Sequence, residues 1–224
     1  MKAILLLAML GGSVLFADTC APGTLQSYIS LAPGGCMLEG VTFDGFTLES
    51  GQSFATPIDL SSVEVTPGGS PFLPALQFTL NQSAAAGDLF EAFFRFNATA
   101  PTLIGGEMLL GPASAIGDGA VTATEDICPG GLFAGSTPTL CGNPPATLIT
   151  FATEFSSSLS DSAVFPVTSF FDIFVDLTID GGLSGSAKLS SATVTISAVP
   201  EPDSTVLMMT ALGALAMVRI RRSQ

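Results

Sequence analysis

Phe90-Glu91-Ala92-Phe93-Phe94-Arg95-Phe96-Asn97 decides how this chain folds. Phe90, Ala92, Phe94 and Phe96 fall on one parity, and Glu91, Arg95 and Asn97 fall on the other. Successive side chains of a strand point to opposite faces, so the octet reads as a strand with one buried face and one wet face. The same period runs outward in both directions. Val63 and Val65 alternate with Ser62, Glu64 and Thr66 ahead of a Pro67-Gly68-Gly69 turn, and Leu76, Phe78 and Leu80 alternate with Gln77 and Thr79. Ile149, Phe151 and Phe155 are expected to repeat the inner face, as are Ile173, Val175, Leu177 and Ile179, then Val194 and Ile196. Such runs, bounded by Gly, Pro, Asn, Asp and Ser, are antiparallel strands. The expected fold class is all-β: a single antiparallel β-sandwich or jelly-roll-like domain of about eight to ten strands.

The aromatic content agrees. Seventeen Phe with one Tyr and no Trp supply large apolar faces with almost no polar handles, which suits two packed sheets. Phe170, Phe171 and Phe174 are assigned to the core on the same ground. One helix interrupts the pattern. Leu25, Tyr28, Ile29 and Ala32 have helical spacing, Thr24 is placed to cap the start, and Gly34 and Gly35 end it.

Cys20, Cys36, Cys128 and Cys141 are the cysteines of the chain. Three pairings are open. The local one, Cys20 with Cys36 and Cys128 with Cys141, is the expectation, and each bridge would contribute roughly 3 kcal/mol in the chain-entropy treatment. A zinc site is disfavoured by spacing and by the complete absence of histidine. That absence also removes Ser-His-Asp and Cys-His catalysis, and oxidised cysteines leave no thiolate. Paired carboxylates for glycoside hydrolysis remain compatible with so acidic a chain. Sugar stacking normally uses Trp or Tyr, and Tyr28 lies in the helical pattern. The reading is therefore non-enzymatic, with no cofactor required.

Calcium is the one ligand the acids suggest. Asp172, Asp176 and Asp180 lie at four-residue spacing on a strand, about 13 Å apart, too far to share an ion. Asp118, in a Gly-flanked turn, with Glu125 and Asp126 just before Cys128, forms the better candidate metal set. Glu125 raises a further question. The alternation that turns Val121, Ala123 and Ile127 inward turns Glu125 inward too, where a carboxylate needs a partner. Arg95 and Lys188 are the cations of the central region, and Arg95 is expected to pair with an acid near the sheet edge.

Both ends of the chain read as addresses. Met1 and Lys2 precede an apolar stretch, Ala3 to Phe16, and Ala17 offers a cleavage site, so residues 1–17 are a signal peptide and signal peptidase an expected partner. At the other end Val199-Pro200-Glu201-Pro202 is followed by an apolar run from Val206 to Val218 and by Arg219, Arg221 and Arg222. The prolines stop the preceding strand, the apolar run forms a transmembrane helix, and the arginines stay cytoplasmic. The run is shorter than the ~20 residues of a comfortable span, which suits a disposable anchor. Residues 18–198 are then the exported domain. The chain has 19 acidic and 6 basic residues; setting aside Glu201, Asp203, Lys2 and the three arginines leaves 17 acidic against 2 basic, a balance of −15. Nucleic acid and anionic lipid are repelled by such a surface.

The order of Pro-Glu-Pro, apolar helix and basic cluster over Val199 to Arg222 resembles the PEP-CTERM sorting signal of Gram-negative bacteria. The resemblance implies recognition by a membrane-embedded exosortase, transient residence in the inner membrane, cleavage near Pro-Glu-Pro, and delivery to the cell surface or an extracellular polysaccharide matrix. The alternative for the same residues is a permanent tail anchor. Residues 18–198 look more loosely like the secreted Cys-containing domains that precede such signals. The function expected is that of an exported structural or interaction protein. Its rival is a calcium-dependent carbohydrate-binding module or a glycan-active enzyme at the surface.

Overall fold

The computed structural model describes residues 17–199, apart from 32–33, 50–53, 136–137 and 139. Residues 1–16 of the signal peptide, Pro200, Glu201, Pro202, the apolar run and Arg219, Arg221 and Arg222 lie outside the described residues. Among those described, no helix is long and apolar enough to cross a membrane.

The chain is all-β, as its period-two patterning predicts. In chain order the elements are β1 (Asp18–Thr19), β2 (Gly23–Thr24), α1 (Leu25–Ile29), β3 (Cys36–Leu38), β4 (Val41–Leu48), β5 (Thr56–Pro57) and β6 (Glu64–Ser70). They continue with β7 (Leu73–Ala85), β8 (Leu89–Leu110), β9 (Ala113–Ile116), β10 (Ala120–Pro129), β11 (Ala146–Thr153), β12 (Ser157–Ser158), β13 (Ser160–Asp180) and β14 (Ser186–Ala198). Thr24 caps α1, its hydroxyl accepting from the Ser27 amide at 3.2 Å.

Two strands longer than the sequence pattern suggests organise everything else. β8 does not stop at Asn97 but runs on to Leu110, and β13 lies antiparallel beside it over its whole course. Their register slips between Val164 and Thr168 and again between Thr168 and Phe170, next to Pro101 and Pro166. Proline withholds a ladder donor and marks a bulge, so both strands bend there. Each strand thereby serves two layers. The first contains β12, β11, β10, the second half of β13, the first half of β8, then β4 and β3. The second contains the first half of β13, the second half of β8, then β14, β7, β6 and β2, with β9 on β14.

The layers face each other in a sandwich-like arrangement, with phenylalanine between them. Phe78 of β7 meets Phe94 and Phe96 of β8 at ring-centroid distances of 4.8 and 6.4 Å. Phe43, Phe78, Phe94, Phe96 and Phe171 are fully buried. Tyr28 joins this core, its ring 5.2 Å from Phe46 and its hydroxyl donating to Ala21 O at 2.9 Å, so it offers no sugar platform. The bridges are Cys20–Cys36 and Cys128–Cys141, the local pairing.

One register departs from the sequence expectation. Leu148, Thr150 and Ala152 are the buried residues of β11, whereas Ile149 is exposed and Phe155 lies beyond the strand in solvent. Pairing with β10 sets that parity: Ala123 stands opposite Thr150 and Glu125 opposite Leu148. Thr150 satisfies its buried hydroxyl by donating to Ala123 O at 3.2 Å.

Candidate functional site

The outward face of the first layer carries most of the polar chemistry. β8 contributes Glu91, Phe93, Arg95 and Asn97, β13 contributes Asp172, Phe174, Asp176 and Thr178, and β10 contributes Thr124, Asp126 and Cys128. Asp172 is fully buried. The Arg95 guanidinium grips it with a fork, Nε donating at 2.6 Å and Nη2 donating to Oδ2, and the Phe133 amide donates to the same Oδ2 at 2.7 Å. Charge-assisted, two-pronged bonds of this kind are strong and directional. Arg95 also donates to Gly135 O and Phe133 O at 3.3 and 3.4 Å, and its guanidinium lies 5.0 Å from the Phe174 ring centroid. Arg95 therefore pairs with an acid, but with one at the centre of the sheet, between β8 and β10, and not at its edge.

This ion pair clamps the loop closed by Cys128–Cys141. Phe133 forms a β-bridge with Cys141 and meets Phe174 edge-on at 5.2 Å, while Phe93 stacks on Phe174 at 5.4 Å. Cys128, Phe133 and Phe174 form a small buried cluster separate from the main core. Phe174 is thus buried as expected, on the outward face and beneath a loop. Charge counting, with two cations for seventeen acids, signalled that Arg95 would pair with an acid; Phe133 carries no signal in the sequence that it would cover that partner.

The acids proposed for calcium are not brought together. Asp118 sits in the β9–β10 turn with its carboxylate accepting from the Leu183 amide at 2.8 Å and the Ser184 amide and hydroxyl at 3.0 and 3.2 Å. Those main-chain amides hold its pKa below the ordinary value. Glu125 and Asp126 are neighbours on β10 and so point to opposite faces. Asp126 accepts from the Thr147 hydroxyl, and burial raises its pKa against that bond. Among the described residues no group of three His, Cys, Asp or Glu is placed to hold a metal ion. The calcium assignment of Asp118, Glu125 and Asp126 is corrected accordingly: one is a turn clasp, one faces the core, one faces out.

Two carboxyls are markedly perturbed. Glu125 is fully buried between the layers, and neither carboxyl oxygen has a hydrogen-bond partner among the described residues. Burial pushes it from 4.5 up to about 8, with the Asp126 and Glu107 charges adding to the effect. Asp176 is raised to about 6 by burial and by Glu91, against a 3.0 Å hydrogen bond from Thr178.

A groove of about 530 Å³ opens where the first half of β13 parts from the start of β11. Pro129, Pro144, Pro145, Val164, Phe165 and Val167 form its walls, and Asn143 and Thr168 its main polar points. The volume suits a small ligand. Asn143 is already engaged, donating to Pro129 O at 2.7 Å.

No family model matches the chain, and no curated protein matches it. Among solved structures, the carbohydrate-binding module TmCBM61, determined with β-1,4-galactotriose, is similar over 61% of this chain and 83% of its own, at 10% identity and a TM-score of 0.30. The enzymatically active domain of tailspike protein 4 of bacteriophage CBA120 is similar over 69% of this chain and 19% of its own, at 11% identity and a TM-score of 0.23. At such scores neither likeness extends to function. The class of protein defined by the chain itself is an all-β domain with two disulfides, the bridges of an oxidising compartment outside the cytoplasm.

Proposed function

We propose that residues 18–198 form an exported, non-enzymatic domain of jelly-roll type that acts at the cell surface or in the extracellular matrix. In this reading signal peptidase removes residues 1–17 during export. Residues 199–224 hold the product in the inner membrane until an exosortase cleaves near Pro200-Glu201-Pro202. Extracellular polysaccharide is then the neighbour that the domain meets.

The junction with the tail is the observation that supports this best. β14 is paired to Ala198, whose amide donates to Phe72 O at 3.0 Å, and the Val199 amide donates to Thr102 O at 3.0 Å. The last described strand ends at Ala198, ahead of Pro200, so cleavage at Pro200 or beyond leaves every described strand intact. A permanent tail anchor would keep the same domain at the inner membrane. Substituting Pro200-Glu201-Pro202 with alanines separates the two. Sorting predicts accumulation of an uncleaved membrane-bound form and loss of the released one, whereas an anchor predicts an unchanged distribution.

A further inference from the structure

The strand that leads into the tail leaves the domain at an uncharged end. Ala198 lies beside Phe72 through the 3.0 Å bond just described, and Leu103 of β8 is paired with both Ala198 and Thr168. Thr168 in turn lies against Gly130, the first residue after β10 and near the base of the bridged loop. The β6–β7 tip, the exit of β14, the bends of β8 and β13 and the base of the loop are therefore contiguous. Residues 66–74, 98–103, 128–135 and 163–171 contain no Asp, Glu, Lys or Arg, although the chain carries a net charge of −13. Phe72 is 62% exposed there and Val167 70%, with Leu73 and Val199 also open to solvent. Arg95, which donates to Phe133 O and Gly135 O, brings no net charge to the loop because it is paired with Asp172.

Apolar side chains exposed together mark an interaction surface. The chain itself indicates the partner. From Val199 to the first residue of the apolar run, Val206, is seven residues, at most about 25 Å of extended chain. A run placed in a bilayer keeps this end of the domain within that distance of the headgroups. The acidic remainder of the domain is repelled by an anionic surface, which favours the orientation that turns the uncharged end toward it.

We propose that this end docks on the lipid–water interface while residues 206–218 occupy the bilayer, with Phe72 and Val167 inserted at headgroup level. The inference rests on the tail being membrane-inserted before cleavage. Docking would hold Val199 to Pro202 at the depth where a membrane-embedded processing enzyme works.

The chain has no tryptophan, so a single introduced one reports without background. The full chain is reconstituted in phosphatidylcholine–phosphatidylglycerol vesicles containing acyl-brominated lipid, carrying in turn F72W, V167W, L207W or L183W. Leu183 is 91% exposed in the turn before β14, at the far end of that strand from Val199. Docking predicts quenching of L207W, F72W and V167W, with L183W unquenched. Quenching of L207W alone overturns the docking and leaves the inserted tail standing; an unquenched L207W overturns the tail reading beneath it. Quenching of L183W as strongly as F72W also overturns docking, because the domain would then lie against lipid without preference. So does an F72W that stays silent in lipid but crosslinks to a protein in inner-membrane vesicles.

Discussion

The carboxyl of Glu125 faces Gly106 across the sandwich, its Oε1 only 3.6 Å from where a Cβ on that glycine would stand. Glu125 belongs to β10 in one layer and Gly106 to β8 in the other, so the acid is enclosed by both. A side chain at position 106 would meet Ile127 Cδ1 at 2.5 Å, and the absence of one lets the layers approach over the acid.

Enclosure fixes the sign of the pH dependence. The folded state holds the Glu125 proton up to about 8, whereas the unfolded chain releases it near 4.5. The native state therefore binds the extra proton between those values, and this group's contribution to stability is greatest below the lower one and declines as pH rises through the higher. The cost on the alkaline side is on the order of a few kcal/mol. Asp176, raised to about 6, acts in the same direction at lower pH. Above that value the melting temperature of the wild type should fall with pH while Glu125→Gln stays nearly flat. Parallel melting curves for the two proteins would refute the assignment.

Arg95→Ala strands the fully buried Asp172, and a buried charge deprived of its partner costs about 3–5 kcal/mol. Arg95→Lys should recover only part of this, because an ammonium cannot reproduce the two-pronged grip. Urea denaturation reads both. A loss below about 1 kcal/mol for the alanine variant would mean that Asp172 is not held as described.

The Cys128–Cys141 bridge and the Arg95 fork hold the same loop. Removing the bridge as the Cys128→Ser, Cys141→Ser pair should cost about 3 kcal/mol. Combining that change with Arg95→Ala should give a coupling of about 0.5–3 kcal/mol, the mark of a shared element. Strict additivity in the double-mutant cycle would separate the bridge from the fork.

β11 tests its own register. Leu148→Ala should cost about 2–5 kcal/mol, since Leu148 is buried, while Ile149→Ser should fall within about 0.5 kcal/mol because Ile149 is exposed. The opposite ranking would restore the parity that the hydrophobic pattern alone suggests.

That strand also shows where the sequence is silent. Alternation identifies β8, β7, the later half of β13 and β14 because Phe94, Phe96, Leu76, Ile173 and Val194 are both apolar and buried. In β11 the largest apolar residues face out, and the buried set includes Thr150, whose hydroxyl finds a main-chain acceptor that only the folded pairing creates. The inward turn of Glu125 was legible from its parity with Val121, Ala123 and Ile127; its lack of a partner was not, because Arg95 is already committed to Asp172. The local disulfides were legible from spacing. The small cluster of Phe133 over Phe174 depends on a loop folding back, which no period in the sequence announces.

The proposed function requires that a disulfide-bridged β domain be exported and trimmed at both ends. The most direct measurement is the intact mass of the protein recovered from the producing cells and their medium, with and without reduction and alkylation. The prediction is a chain beginning at Asp18, ending near Pro200-Glu201-Pro202, and taking up four alkyl groups only after reduction. A product that retains residues 206–224, or whose four cysteines are alkylated without reduction, would contradict it.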